Sequence, residues 1–347
     1  MKIFILKPSS LGDVIQALPV LRLLKQRYPA AEIFWWIDST LAPLIEGDPD
    51  LTGVVLFERK RWAKPQYWPE MFRSIRWLRA QKFDLVIDLQ CLLRSAAFSW
   101  LANGKLLVGL DETREGARGF YDFAVPRKSF HTHAVDWYLS VLSPLDVPVH
   151  KNFVWLPERP KVAAEIMRKW PETIAPQPPS ALLPPRWIAL PPGARWKNKR
   201  WPEKYFRELA HSLAQIFPEV RFAILGGKND HPLGEIISKS APDRCLNLCG
   251  ATSLPEMVEW VRRCDLMVTN DTGPMHVAAA LGKPLVALFG PTEPRRTGPY
   301  GQLENALRLD LPCSPCLKSH CTIEKTDECM RALPPALVCQ HVQKILS

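Results

Sequence analysis

Two short runs near opposite ends of the chain each combine an apolar strand pattern, a polar turn that contains glycine, and the start of a helix. The first leads from the apolar residues 3–6 into the turn 9–13 (SSLGD), and the second leads from 266–268 into the turn 270–274 (NDTGP). Open α/β sheets bind ligands at the carboxyl ends of their strands, and the free N–H groups at a helix start favour an anion. The two turns therefore predict two ligand sites, for two substrates brought together across a cleft.

Short apolar runs alternate with helical patterns over most of the chain, which is typical of parallel sheets covered by helices on both faces. In the first half we predict strands at 2–6, 32–37, 53–57, 84–89 and 106–108, and helices from residue 14 and over 68–82. In the second half we predict strands at 187–190, 220–226, 266–269 and 285–289, and helices at 202–217, 232–240, 254–263, 275–281 and 335–346. The two halves are therefore expected to share one α/β architecture.

The length of the chain, 347 residues, is comfortable for two domains. Residues 171–185 (PETIAPQPPSALLPP) hold too many prolines for a helix or a central strand, so we interpret them as a linker. The linker divides the chain into an N-terminal domain, 1–170, and a C-terminal domain, 186–332, whose tail is rich in cysteine. A last helix is expected within 333–347.

The bulk composition narrows the cellular location and the partners. No apolar run approaches the ~20 residues that span a bilayer, and the N-terminal apolar run ends at Lys7, too early for a secretory signal. We therefore expect a cytoplasmic protein, with peripheral attachment to the inner membrane as the alternative. The net charge of +10 favours anionic partners such as nucleotides, phosphorylated lipids or nucleic acid.

Two loops of the second half are candidates for an anion site. Thr272 or Gly273 can cap a helix whose free N–H groups would face a diphosphate. The alternative is a plain turn in which Asp271 is the cap and His276 packs in the core. The loop 193–202 (GARWKNKRWP) places four cations before a helix, which suits a phosphate group unless the loop is an ordinary solvated one.

Two carboxylates have candidate roles of their own. Asp230 follows a glycine pair at a predicted strand end, where a carboxylate can accept a ribose hydroxyl. Asp13 opens the first helix and is a candidate general base, or else a carboxylate that the helix dipole stabilises. No G-x-G-x-x-G follows the first strand of either half, which disfavours a dinucleotide-dependent oxidoreductase.

A basic stretch with interleaved aromatic residues occupies 59–82. A phosphorylated, amphiphilic acceptor or an anionic membrane surface would fit it, with nucleic acid as the rival partner. The alternative is a solvated helix face beside ordinary core aromatics. Its cations are Arg59, Lys60, Arg61, Lys64, Arg73, Arg76, Arg79 and Lys82.

Four of the nine cysteines cluster near the C-terminus, next to His320. A four-thiolate zinc site is one interpretation of this density, although the spacing matches no standard zinc finger. Free thiols or a labile disulfide are the alternatives. The four residues are Cys313, Cys316, Cys321 and Cys329.

Taken together, these motifs resemble glycosyltransferase family 9, the ADP-heptose:lipopolysaccharide heptosyltransferases, over nearly the whole chain. The cysteine tail is similar to that of members nearer the heptosyltransferase II type. The motifs that carry the resemblance are Gly12-Asp13-Val14-Ile15 with Leu18-Pro19, Lys199-Arg200-Trp201-Pro202, Asp271-Thr272-Gly273-Pro274-Met275-His276 and Gly290-Pro291-Thr292.

The resemblance implies a GT-B fold, in which two Rossmann-like domains with parallel sheets face a cleft. The acceptor would bind to the N-terminal domain and the donor to the C-terminal one. The implied reaction is an inverting transfer of heptose from ADP-heptose to a hydroxyl of the lipopolysaccharide inner core, with no cofactor required for catalysis. Asp13 would be the general base, and Lys199 would stabilise the departing diphosphate. The implied donor contacts are Arg195, Asp230, Asp271, Thr272, Gly273 and His276, and the implied acceptor contacts are Arg59, Lys60, Arg61, Lys64 and Arg118.

The implied partners are an ADP-sugar and a phosphorylated lipid or oligosaccharide, with peripheral contact at the cytoplasmic membrane face and no nucleic acid. A nucleotide-sugar epimerase of the same fold is one rival, which the basic aromatic stretch disfavours because an epimerase needs no acceptor site. A non-catalytic, metal-bearing binding protein built around the cysteine tail is the other.

Overall fold

The computed structural model describes residues 1–112, 115–170, 186–324 and 326–347, so the predicted linker 171–185 lies outside the described residues. The chain divides into two units, Met1–Pro157 and Glu158–Ser347. In the described ranges, no helix combines the length and the apolar character that a membrane crossing needs.

The first unit is built on six parallel strands, because apolar runs such as residues 3–6 are buried on both faces of the sheet. The strands are β1 (Lys2–Leu6), β2 (Glu32–Asp38), β3 (Gly53–Phe57), β4 (Leu85–Asp88), β5 (Leu106–Asp111) and β6 (Phe123–Pro126). The helices are α1 (Leu11–Arg27), α2 (Arg59–Trp62), α3 (Trp68–Gln81), α4 (Leu93–Leu101) and α5 (Ala134–Leu139). The spatial order of the strands is β3-β2-β1-β4-β5-β6.

Every strand predicted in the first half is present, whereas α2, β6, α4 and α5 were not predicted. β6 is the last strand at one edge of its sheet, and its four residues are exposed or half-buried. An edge strand of this kind lacks the continuous apolar run that identifies a central parallel strand.

The second unit repeats the architecture. Its strands are β7 (Arg186–Leu190), β8 (Val220–Ile224), β9 (Cys245–Asn247), β10 (Leu266–Asn270), β11 (Leu285–Phe289) and β12 (Ala306–Arg308), in the spatial order β9-β8-β7-β10-β11-β12. Its helices are α6 (Pro160–Lys169), α7 (Glu203–Ile216), α8 (His231–Ser238), α9 (Leu254–Arg263), α10 (Gly273–Ala280), α11 (Pro294–Thr297), α12 (Glu328–Arg331) and α13 (Pro335–Leu346). The predicted likeness of the two halves is confirmed, because both sheets have the same order of strands.

The boundary between the units lies earlier than the predicted limit at residue 170. Helix α6 packs against α9 of the second unit. Lys169 forms an ion pair with Glu256, and the rings of Trp170 and Trp260 meet edge to face at 5.6 Å. These contacts place α6 in the second unit. Helix α13, predicted as a separate final segment, also packs in this unit, against α7.

The strand order fixes where a ligand can bind. In the first sheet β1 lies beside β4, and in the second sheet β7 lies beside β10, with the chain proceeding in opposite directions from each pair. At such a switch point, the loops that follow the two strands separate and leave a crevice at the carboxyl edge. The turns 9–13 and 270–274 both follow strands of these pairs.

Candidate active site

An ion pair lies at the switch point of the second unit. Lys199, in the loop after β7, places its Nζ 2.6 Å from Oδ2 of Asp271, in the turn after β10. The hydroxyl of Thr292, in the loop after β11, donates to the same oxygen at 2.6 Å. The Lys199 ammonium also lies 4.7 Å from the centre of the Trp196 ring. Three loops are therefore joined around one carboxylate, and they fix a cation close to the start of α10.

Asn270, at the end of β10, bonds to the loop after β7 that carries Lys199. It was not predicted as a site residue. Its side chain is fully buried at the end of β10. Nδ2 donates to the carbonyl oxygen of Pro192 at 2.8 Å, and Oδ1 accepts from the backbone N–H of Trp201 at 3.0 Å. Asn270 thus clamps both ends of the loop that carries Lys199. An amide at the end of a buried strand is the sequence signal that identifies such a clamp.

The start of α10 differs from the plain turn considered above, because Asp271 is not its cap. Thr272 occupies the N-cap position in an extended conformation, and the helix begins at Gly273. Pro274, the second residue of the helix, has no N–H, and the N–H of Met275 donates to the carbonyl oxygen of Thr272 at 3.1 Å. The N–H of Gly273 can therefore bind an anion at this helix start. His276 lies in the first turns of this helix and is 8% exposed.

Asp230 lies in the loop after β8, beside the loop that carries Lys199. Its Oδ2 accepts from the backbone N–H of Gly227 at 3.0 Å, and its Oδ1 lies 3.9 Å from Nη2 of Arg200. A Cβ atom on Gly193 would come within 2.5 Å of the Asp230 carboxyl group, so only glycine allows this approach. The predicted donor carboxylate and Arg195, which is exposed on the neighbouring loop, therefore share one edge of the sheet.

The first unit holds Asp13 in the first turn of α1 with both of its oxygens engaged. Oδ2 accepts from the backbone N–H of Ser10 at 2.9 Å and from its hydroxyl at 2.7 Å. Oδ1 accepts from the hydroxyl of Tyr138, on α5, at 3.1 Å. Burial, together with the nearby charge of Asp13, raises the pKa of Tyr138 well above its ordinary value. Tyr138 consequently stays a protonated donor that orients the carboxylate.

Lys7 supports the Tyr138 ring and was not predicted to take part in the site. It is 3% exposed, and its Nζ donates to the carbonyl oxygen of Leu89 at 2.8 Å. The same ammonium lies 4.6 Å from the centre of the Tyr138 ring, within range of a cation–π interaction. A buried lysine directly after an apolar strand is the sequence signal for this role. The sequence around Tyr138 carries no such signal.

The predicted acceptor residues do not all converge. Arg59, in α2, lines a cavity of about 120 Å³ at the carboxyl ends of β1, β3 and β4, together with Arg94 of α4, which was not predicted. Arg61 pairs instead with Glu70 at 2.5 Å, and Lys60 and Lys64 are exposed. Arg118 pairs with Asp111 at 3.1 Å.

The aromatic residues of the basic stretch divide into two groups. Trp62 is buried and stacks on Phe98, as the core alternative predicted. In contrast, Trp68 and Phe72 of α3 are 46% and 54% exposed. The stretch is therefore partly an ordinary core and partly an exposed apolar surface among cations.

The four clustered cysteines carry free thiols and line a single cavity of about 260 Å³, together with Asn198 and Pro291. Burial, together with the negative charges of the other three sulfurs and of Asp327, raises the pKa of the Cys329 thiol to about 11. In the ranges that the structure describes, no three Cys, His, Asp or Glu side chains are arranged as ligands of one ion. The zinc site therefore stays a prediction. The four cysteines are Cys313, Cys316, Cys321 and Cys329.

Comparison with known proteins identifies the family. The model of glycosyltransferase family 9 (heptosyltransferase) matches residues 71–327. The chain is 32% identical to lipopolysaccharide heptosyltransferase 1 of Pseudomonas aeruginosa, over 94% of this chain and 89% of that protein. It is 30% identical to lipooligosaccharide heptosyltransferase 2 of Campylobacter jejuni, over 100% and 98% of the two chains.

Among solved structures, the Escherichia coli ADP-heptose lipopolysaccharide heptosyltransferase II matches with a TM-score of 0.76 and 26% identity, over 100% of this chain and 98% of that one. The two six-stranded parallel sheets are those of the GT-B fold, as the motifs predicted. Relatives of both numbered types match at similar identity, so identity does not separate the two types. The chain belongs to glycosyltransferase family 9 and is a glycosyltransferase.

Proposed function

We propose that this enzyme transfers heptose from ADP-heptose to a hydroxyl group of the lipopolysaccharide inner core, with inversion at the anomeric carbon. The heptosyltransferase names of the relatives support the sugar and the acceptor class. The observation that carries the mechanism is the oriented carboxylate of Asp13, held by Ser10 and Tyr138 at the switch point of the first unit. Family membership favours transfer over the epimerase and over the non-catalytic alternative.

In this mechanism, Asp13 removes the proton from the acceptor hydroxyl as the new bond forms. A carboxylate fixed by three donors offers its remaining lone pairs in one direction, which suits a general base. The acceptor oxygen then attacks the anomeric carbon from the side opposite the diphosphate, and this in-line geometry inverts the configuration. The ADP group leaves with the electron pair of the broken bond.

The leaving diphosphate would bind at the switch point of the second unit. Lys199 is held there by Asp271, and the N–H of Gly273, the first residue of α10, follows Asp271 by two residues. Fixed positive groups aimed at a developing negative charge are usually the largest single contribution to catalysis. We therefore expect transfer to proceed without an added cofactor. We expect Asp230, on the adjacent loop, to accept a hydrogen bond from a ribose hydroxyl.

The acceptor phosphates would bind where Arg59 and Arg94 line one cavity. Two guanidinium groups favour phosphate because each offers several donors in a planar fork. The exposed Trp68 and Phe72, on a helix that also carries arginines, suggest peripheral contact with an anionic membrane face at the cytoplasmic side. We expect no nucleic-acid partner, because the acceptor occupies the basic surface.

Replacement of Asp13 by Asn tests the central step. The amide keeps the shape of the carboxylate but accepts a proton far less readily, so transfer should fall by about 10²- to 10⁴-fold. Affinity for ADP, measured by calorimetry, should stay near the wild-type value, because the nucleotide site is built by the second unit. NMR of the product made by the wild-type enzyme should show the inverted anomer. Transfer by Asp13→Asn at a tenth of the wild-type rate or more would remove Asp13 from this role.

A further inference from the structure

A second chemical site lies beside the donor loops, in the cavity lined by the four clustered cysteines. Its volume is about 260 Å³, and Cys329, on the short helix α12, is 9% exposed. Cys313, Cys316 and Cys321 come from a segment outside the helices and strands. One sulfur is thus carried by a helix, while the other three are carried by a loop, and all four line the same cavity.

Two oxygen atoms in the wall of this cavity are chemically unsatisfied. Asn198 is 4% exposed, and its Oδ1 has no hydrogen-bond partner among the described residues. The buried Oδ1 of Asp327 also has no hydrogen-bond partner in the described ranges. Both residues line the cavity. A buried acceptor without a donor is costly, so native proteins rarely keep one unless a ligand, an ion or an ordered water completes it. Here the unsatisfied atoms are electron-rich, as are the thiols around them.

The donor set selects the class of ligand. Four sulfurs favour a soft or borderline cation, and Zn²⁺ is commonly held by four cysteines in structural sites. The first two cysteines are separated by two residues, a common spacing for a pair of zinc ligands. The remaining orphaned oxygens would then accept from groups around the ion, or from water that enters with it.

The cysteine segment is tied to both loops that build the donor site. The hydroxyl of Ser314 donates to the carbonyl oxygen of Gly290 at 2.6 Å, and the N–H of Leu317 donates to that of Pro291 at 2.7 Å. Nδ2 of Asn198 donates to the carbonyl oxygen of Lys318 at 2.9 Å. Asn198 directly precedes Lys199, and Pro291 directly precedes Thr292, the two residues that hold Asp271.

We propose that the four cysteines bind one Zn²⁺ ion and that this ion holds the donor loops in their binding conformation. The thiols lose their protons to solvent as the metal binds, and the segment then closes around it. Because the same segment bonds to the residues next to Lys199 and Thr292, a closed segment limits the motion of both. A preordered site binds its ligand more tightly, so the metal-loaded enzyme should bind ADP about 2- to 10-fold more tightly than the metal-free enzyme.

The test begins with full-length enzyme that has been purified under reducing conditions and freed of metal by a chelator. Titration with Co²⁺ should give the thiolate charge-transfer and tetrahedral absorption bands at one ion per chain, and Zn²⁺ should displace the Co²⁺. Cys316→Ser and Cys321→Ser should weaken these bands. Cys245→Ser is the matched control, because Cys245 carries a free thiol in strand β9 and does not line the cavity.

Calorimetry with ADP on the metal-free and zinc-loaded enzyme then tests the coupling. The expected effect on ADP affinity rests on the proposed donor site, whereas the Co²⁺ bands report only on the metal site. Failure of the metal site can therefore be distinguished from failure of the donor site. Absence of stoichiometric thiolate bands, with four reactive thiols in an active enzyme, would overturn the metal site. Equal ADP affinity with and without zinc would overturn the coupling, and loss of ADP binding in both forms would instead contradict the donor site.

Discussion

Replacement of Lys199 by Met separates two roles of this lysine that the structure combines. The ammonium holds Asp271 at 2.6 Å, and in the proposed reaction it also meets the leaving diphosphate. Methionine keeps much of the length and apolar volume of the lysine stem but carries no charge. In the variant, the carboxylate of Asp271, which is 6% exposed, loses its cation and keeps the hydroxyl of Thr292 as a donor. The leaving diphosphate also loses a cation.

The two losses have different magnitudes. Breaking a buried ion pair costs about 3–5 kcal/mol of folding stability. Since the Lys199 side chain is 18% exposed and water screens part of the interaction, we expect the lower end, about 3 kcal/mol. A hydrogen bond to a charged group contributes about 1.5–3 kcal/mol. Lost from the transition state, that amount lowers turnover by about 10- to 150-fold.

The double variant Lys199→Met with Asp271→Asn distinguishes the roles. It removes the unpaired buried charge, so its unfolding free energy in urea should recover most of the loss. Its rate of ADP release from ADP-heptose should stay well below that of Asp271→Asn alone, because the cation is still missing. Lys197→Met is the control, since Lys197 is an exposed lysine in the same loop. Equal rates for the double variant and Asp271→Asn would refute a direct contact between Lys199 and the diphosphate.

Three further perturbations test other parts of the site. Tyr138→Phe removes a donor to Asp13, which makes the carboxylate easier to protonate, so the acidic limb of the kcat/KM profile should move up by about one pH unit; an unmoved limb would contradict this. Arg94→Glu should raise the acceptor KM, most strongly at low salt, whereas Lys82→Glu, which alters an exposed cation outside the cavity, should not; equal effects would make the dependence non-specific. The hydrogen bond from Arg295 is the main cause that lowers the pKa of Glu293 from 4.5 to about 2. Ionised Glu293 therefore stabilises the fold at pH values above about 4.5, and this contribution is lost as the pH falls toward 2. Glu293→Gln should flatten this part of the curve of melting temperature against pH, and a curve parallel to that of the wild type would exclude the effect.

The sequence by itself determined the central strands of the two sheets and the polar residues that lie at their carboxyl edges. A strand buried on both faces is apolar over most of its length, so β1, β4, β7, β10 and β11 are recognisable as short apolar runs. Polar residues that directly follow such runs are placed at the carboxyl edge by chain connectivity alone. For this reason the local sequence suffices to assign Asp13, Lys199 and Asp271 to the carboxyl edges of their sheets. The edge strands β6, β9 and β12 were missed because they are short and half-exposed.

Tertiary structure decided which side chains act together. Tyr138 reaches Asp13 from 125 residues away, and Thr292 reaches Asp271 across a neighbouring strand. Nothing local in the sequence encodes such contacts, because they depend on how the helices pack over the sheet and on the order of the strands. The basic run after β3 shows the same limit. Neighbouring positions in a short helix point in different directions, so one of its cations lines the cavity with Arg94 of another helix, while the next residues turn to solvent or to ion pairs of their own.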